Sequence, residues 1–267
     1  MLQTLQRSKT PSGVAFIDQG QGEETLVLIH GVGMRIEAWT PQITAFAGHM
    51  RVIAVDLPGH GLSAELGKPA HLSHFVEWFC GVLDELTLGP VNVAGHSMGA
   101  LIATGVAATA PQRLRRVALL NSVHRRSEEA RRAVTARASE IVSGTFDRQA
   151  PLARWFAPAE RGSEAYSLVR GLLETVGASG YATAYKAFAT GDSIYSDCWP
   201  RVTCPALFLT GSDDPNSTAQ MAEEMARAAP CGRAVIIPGH RHMVNLTAPE
   251  RVNEALSDWL TWEGSDV

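Results

Sequence analysis

Residues 91–108 carry the tightest constraint in this 267-residue chain. An apolar run, Val91-Asn92-Val93-Ala94, leads into Gly95-His96-Ser97-Met98-Gly99 and passes at once into a small-residue helix over 100–108, with Pro111 beyond its end. A buried strand that turns within one residue into a helix leaves the central side chain, Ser97, on strained backbone angles. Its neighbours two positions either side must then be small to avoid collision, and Gly95 and Gly99 are. Such a turn lifts the serine hydroxyl above a sheet and aims the unpaired N–H groups of a helix start at the space beside it.

The rest of the chain fits a parallel sheet. Apolar runs of strand length recur at 14–18, 25–30, 51–56, 91–96, 116–121, 206–210 and 234–238, separated by longer amphipathic stretches. Leu26-Val27-Leu28-Ile29 has the continuous branched-aliphatic character of a strand buried on both faces. Between 124 and 200 the texture changes to arginine, alanine and aromatics at helical spacing, with no strand. The division predicted is an α/β core over 1–123 and 201–267 interrupted by a helical cap over 124–200. The arginine-rich run 124–137 is expected to be a solvated helix face interleaved with Glu128 and Glu129, with a polyanion site as the alternative.

Composition narrows the partners. A formal charge of −4 and scattered arginines lack the basic footprint of a nucleic-acid binder. No apolar run reaches membrane-spanning length and the N-terminus lacks a secretory pattern, so a cytoplasmic protein without membrane contact is expected. Cys80, Cys198, Cys204 and Cys231 are far apart and read as reduced thiols. A small-molecule substrate is expected, and the protein itself is expected to be a monomer or a homodimer.

Four further segments carry chemistry. His30-Gly31-Val32-Gly33 follows a strand, and its glycines would let backbone approach a ligand, with the Val32 N–H donating together with that of Met98; a glycine-rich turn without a ligand is the alternative. Gly211-Ser212-Asp213-Asp214-Pro215 places a carboxylate, Asp213 or Asp214, at the C-terminal edge of the sheet, where ligands bind. Pro238-Gly239-His240-Arg241-His242-Met243 places His240 or His242 on the same edge. The His-x-His pair lacks the further ligands that a metal site needs, and no metal is expected. Gly59-His60-Gly61-Leu62-Ser63-Ala64 formally fits a dinucleotide fingerprint, but Glu65, Gly67, Lys68 and Pro69 continue as turn chemistry instead of opening a helix, so no nicotinamide cofactor is expected.

On these segments, with Asp56-Leu57-Pro58-Gly59-His60-Gly61-Leu62-Ser63, the chain resembles the α/β-hydrolase superfamily over nearly all of its length outside the insertion. The resemblance implies the α/β-hydrolase fold, a mostly parallel central sheet with helices on both faces and an inserted helical cap. It also selects Asp214 over Asp213 and His242 over His240, in the chain order serine, acid, histidine. It implies a serine hydrolase with Ser97 as nucleophile, His242 as base, Asp214 as orienting acid, an oxyanion hole from Val32 and Met98, and no cofactor. A serine, rather than an aspartate, on the elbow argues against haloalkane dehalogenases and epoxide hydrolases. The substrate expected is a small carboxylic ester or lactone. A carbon–carbon bond hydrolase or perhydrolase-like enzyme with the same triad is the alternative, and a ligand receptor on the same fold the alternative of another class. Gly31, Arg35, Trp39, Tyr185 and His240 are the expected substrate contacts, Arg35 by holding a carboxylate and His240 as a contact of lid or pocket.

Overall fold

A computed structural model describes residues 5–67, 70–145 and 147–263. Lys68 and Pro69, which contributed to the reading of the Gly59 loop, lie outside the described residues, as do the first four residues of the N-terminus.

Eight strands, β1 (Ser8–Lys9), β2 (Ala15–Gln19), β3 (Thr25–Ile29), β4 (Arg51–Val55), β5 (Val91–His96), β6 (Leu114–Leu120), β7 (Ala206–Gly211) and β8 (Gly232–Ile237), form one sheet in the order β1-β2-β4-β3-β5-β6-β7-β8. From β4 onward all pairings are parallel, and the β1–β2 and β2–β4 pairings are antiparallel. The chain has the α/β-hydrolase fold. The sequence runs locate seven of these strands to within two residues. The two-residue β1 has no apolar pattern to betray it, since both its residues are exposed.

Among the described residues there are ten α-helices, α1 (Thr40–Phe46), α2 (Leu72–Glu85), α3 (Met98–Thr109), α4 (Glu128–Ser143), α5 (Ala150–Trp155), α6 (Glu164–Thr175), α7 (Ala178–Gly191), α8 (Ala219–Ala228), α9 (Val244–Thr247) and α10 (Pro249–Thr261), besides short 3-10 turns. Strand side chains alternate between two cores, as a period of two requires. Val27, Ile29, Val93, Val117 and Phe208 face the core that includes α2, α3 and α8. Leu26, Leu28, Ala94, Ala118 and Leu209 face the one closed by α1 and α10. Helix α3 is buried almost all round, which is why it is built of glycine and alanine: a Cβ on Gly105 would come within 2.2 Å of Val76.

Helices α4 to α7 lie between β6 and β7 and contribute to the first core through Val134, Leu152, Leu173 and Tyr181. Local signals fix their ends. Ser127 caps α4 by accepting from the Ala130 N–H, Gly144 closes it in the left-handed conformation at φ 79°, and Ser163 caps α6. Among the described residues no helix is long and apolar enough to cross a membrane.

Candidate active site

Ser97 sits between β5 and α3 at φ 54°, ψ −109°, a left-handed backbone that costs a non-glycine residue about 1–3 kcal/mol. The flanking glycines make the turn sterically feasible. A Cβ on Gly95 would lie 2.2 Å from the Gly99 carbonyl oxygen, and one on Gly99 2.1 Å from that of Ile29. The turn points the Ser97 hydroxyl at the loop after β8, where its Oγ lies 3.1 Å from His242 Nε2. His242 Nδ1 lies 2.7 Å from Asp214 Oδ2. A carboxylate only accepts, so the imidazole proton sits on Nδ1, and Nε2 is left to accept from the serine.

Asp214 is nearly fully buried and multiply bonded: Asn121 Nδ2 donates to Oδ2 at 2.9 Å and the Asn216 N–H to Oδ1 at 2.8 Å. Burial pushes its carboxyl up, but the His242 charge and these hydrogen bonds outweigh burial and hold it below the usual aspartate range. The rival Asp213 is exposed and accepts from Ser212 Oγ.

Three residues beyond the predicted set support this arrangement. Asn121, itself at φ 49°, ties Asp214 to Thr210 and to the Arg241 carbonyl. His96 Nε2 donates to the His242 carbonyl at 2.8 Å; burial first, and the His242 charge second, push its pKa down to about 3, so it stays neutral. His60 Nε2 accepts the Gly33 N–H at 3.0 Å, so the loop once weighed as a dinucleotide fingerprint instead braces the Gly31–Gly33 turn. Among the described residues of that loop no helix opens, and α2 begins at Leu72. Only the Gly-His-Gly spacing hinted at the brace, and no local pattern flagged Asn121.

A cavity of about 620 Å³ opens beside Ser97 and His242, with Gly31 and Val32 on its rim. Gly31 is close because it lacks a side chain: a Cβ there would lie 3.1 Å from both the Ser97 Cβ and His96 Nδ1. Met98 is the first residue of α3, so its N–H has no earlier turn to satisfy it. One wall comes from the inserted helices, through Val134, Arg137, Arg154, Trp155, Tyr185 and Phe188, and another from the segment after β7, through Pro215, Asn216, Met221 and Glu224. Trp155 stacks on the His242 ring, centroids 5.6 Å apart. The aromatics of the insertion thus divide: Trp155, Tyr185 and Phe188 line the cavity, while Phe156, Trp199 and Tyr181 are core.

Three expected substrate contacts lie elsewhere. Arg35 turns away, its Nε 3.5 Å from Glu37, and borders a separate depression with Gly33 and Gly59. Trp39 has no exposed surface and belongs to the opposite core, edge-on to His96. His240 does not border the cavity; its Nδ1 lies 2.9 Å from Thr247 Oγ1 and 3.3 Å from Glu160 of the insertion. The two histidines of His-x-His therefore point to different partners, and among the described residues no group of three metal-ligating side chains gathers.

The arginine-rich run departs from a plain solvated face. Arg125, Arg126 and Arg137 all border the cavity, joined by Arg154 from α5. Arg126 is buried, paired with Asp192 at 3.2 Å and stacked on the Phe188 ring, and Arg125 pairs with Asp197. Arg137 donates to the Tyr185 hydroxyl at 3.1 Å, and among the described residues no carboxylate pairs with either Arg137 or Arg154. Burial, then the charge of Arg137, holds the Arg154 guanidinium below its ordinary value.

The model of the "Alpha/beta hydrolase family" matches residues 26–255. A relative from Acinetobacter baylyi, (E)-2-((N-methylformamido)methylene)succinate hydrolase, is 52% identical over 96% of this chain and 97% of its own length. Among solved structures, a thermophilic esterase from Thermogutta terrifontis with malate bound superposes with a TM-score of 0.86 at 26% identity, covering 96% of this chain and 98% of the esterase. The enol-lactonase from Burkholderia xenovorans does so with a TM-score of 0.85 at 25% identity, covering 96% of this chain and all (100%) of the lactonase. On fold, family match and relatives together, the chain belongs to the alpha/beta hydrolase family and is a hydrolase.

Proposed function

We propose that this enzyme hydrolyses an unsaturated succinate that carries an amide on its methylene carbon, with Ser97 as nucleophile, His242 as base and Asp214 as its orienting acid. The observation that carries the reading is the pair Arg137 and Arg154: two guanidiniums border the cavity that holds Ser97, and among the described residues neither is ion-paired with a carboxylate, Glu224 being the one carboxylate of the described lining. Two half-buried guanidiniums without a paired carboxylate favour a ligand that brings two carboxylates, through charge-assisted hydrogen bonds. A succinate brings two, as does the malate held by the similar esterase. The reading moves away from a simple ester or lactone; it shares the triad with the carbon–carbon bond hydrolase weighed beside it, but the bond broken is the C–N bond of an amide.

The chemistry follows from the geometry. As Ser97 Oγ bonds to the acyl carbon of the amide, its proton passes to His242 Nε2, 3.1 Å away. The oxyanion forms between the N–H groups of Val32 and Met98. The C–N bond breaks as His242 returns the proton to the departing nitrogen, whose electron pair is delocalised into the conjugated carbon–carbon double bond. Water, deprotonated by His242, then attacks the acyl-serine and releases the carboxylic acid and free Ser97.

The test is direct. Purified enzyme with (E)-2-((N-methylformamido)methylene)succinate is expected to release one formate per substrate consumed, and Ser97→Ala to release none. Loss of the conjugated chromophore without formate would mean that the broken bond lies in the carbon skeleton. No turnover of this substrate, with brisk turnover of p-nitrophenyl acetate, would return the reading to a neutral ester.

A further inference from the structure

The loop that carries His242 is stitched to the inserted helices at three successive residues. His240 lies 3.3 Å from Glu160, Arg241 Nη1 donates to the carbonyls of Ala153 and Phe156 at 3.1 Å each, and Trp155 stacks on His242. The middle contact is the unusual one. Arg241 has no carboxylate partner among the described residues, and its guanidinium meets the carbonyl end of α5, where the last turn of a helix leaves acceptors unpaired and partial negative charge accumulates. The segment it grips, Ala153 to Phe156, contains both Arg154 and Trp155. At the other end of the same residue, the Arg241 carbonyl accepts from Asn121 Nδ2 at 3.3 Å, and that amide also bonds Asp214.

We propose that Arg241 is a positioning residue: by holding the end of α5 against the histidine loop it seats Trp155 over the His242 ring and Arg154 in the cavity, so that base and anion contact are set by one anchor. Helix α5 has only six residues, too few to hold its own direction, and the gripped carbonyls bracket the two side chains that matter. Trp155 shields one face of the imidazole from water, while Arg154 faces the substrate. An insertion displaced from the loop loses both at once. The Arg154 arm rests on the dicarboxylate reading above, and the Trp155 arm does not.

Two probes separate the arms. An uncharged fluorophosphonate labels Ser97 at a rate set by His242, and succinate protects against labelling by occupying the anion contacts. Arg241→Ala is expected to slow labelling and weaken succinate protection, each about tenfold. Both Arg241 bonds come from a single nitrogen, which an ammonium reproduces, so Arg241→Lys is expected to stay within about threefold of the parent in both. The decisive result is non-additivity: Arg241→Ala with Trp155→Ala labels no more slowly than Trp155→Ala alone, and Arg241→Ala with Arg154→Ala is no less protected than Arg154→Ala alone. Additive effects in the labelling cycle, or no effect of Arg241→Ala in a protein that melts like the parent, would overturn the proposal. Should Arg241→Ala fail to fold, Arg241→Gln, which keeps one donor, enters the same cycles. If Arg154→Ala leaves succinate protection intact, the dicarboxylate reading falls, and the labelling cycle with Trp155 still decides the anchor.

Discussion

At the scale of single residues, Asp213 and Asp214 differ by one position in sequence and entirely in surroundings. Asp214 is buried under His242, Asn121 and the Asn216 N–H, whereas Asp213 reaches solvent. Asp214→Asn leaves the shape but removes the acceptor that keeps the imidazole proton on Nδ1, and kcat is expected to fall by about 10⁴-fold. Asp213→Asn is expected to change it less than twofold, and steady-state kinetics on one substrate checks both. The residues by themselves could place a carboxylate on this edge, and only the family resemblance chose Asp214, because the physical choice depends on Asn121, 93 positions away from Asp214. The arginines differ in legibility. Arg35 was expected to bind a carboxylate because it follows the Gly31 turn, yet Glu37 two residues on claims it. Arg154 had no local signal at all, because what sets it apart is the lack, among the described residues, of a carboxylate paired with it in three dimensions. Arg137→Ala and Arg154→Ala are each expected to raise KM for the methylene-succinate by about 10- to 100-fold, the worth of one hydrogen bond between charged groups. The same substitutions should shift KM for p-nitrophenyl acetate far less, and equal shifts for both substrates would exclude a carboxylate contact.

At the scale of elements, strands and helices were legible wherever burial imposes a period. The β3 and β5 runs announced themselves because both of their faces are covered, while β8, half-exposed at the sheet edge, has a weaker pattern and starts two residues earlier than its apolar run. What the pattern could not reveal is how α4 to α7 are held against the sheet. Asp192, at the end of α7, accepts from the Arg126 N–H at 2.8 Å and pairs with the buried Arg126 and with Arg131. Removing it strands a cation among apolar groups, so Asp192→Ala is expected to cost about 3–5 kcal/mol in urea unfolding. Glu128→Ala, which breaks the exposed pair with Arg132 on α4, is expected to cost under about 0.5 kcal/mol. Comparable costs would mean that Asp192 is not the joint between α7 and the segment after β6.

At the scale of the whole molecule, the sheet gathers histidines that water never reaches. His30 lies between the Gly31 carbonyl and the Leu57 N–H, His60 between the Pro58 carbonyl and the Gly33 N–H, and His96 against the His242 carbonyl. Burial is the largest cause of the shift in all three, pushing His30 well below its ordinary value, His60 down to about 4 and His96 down to about 3. An unfolded histidine takes a proton near pH 6.5, so between that pH and these lower values the unfolded chain binds protons that the native chain refuses. Their contribution is therefore complete above about pH 6.5 and is lost as the pH falls, by about 1.4 kcal/mol per pH unit for each histidine. With these three groups, and with His124, which burial also lowers, acting in the same direction, the free energy of unfolding is expected to be flat between pH 7.5 and 8.5 and to drop by at least about 4 kcal/mol per unit between pH 6 and 5. Asp214, whose carboxyl is held below its usual range, works in the same direction only at more acid pH, because its stabilisation is present above the ordinary aspartate value and lost below it. Denaturant unfolding at half-unit pH steps measures the slope, and His60→Gln, whose amide oxygen can still accept the Gly33 N–H, should remove at most about a third of it. A profile level from pH 7 to 5 would mean that these rings carry protons inside the fold; the Gly33 N–H would then face a second donor, and the brace on the Gly31 turn would have to be drawn differently.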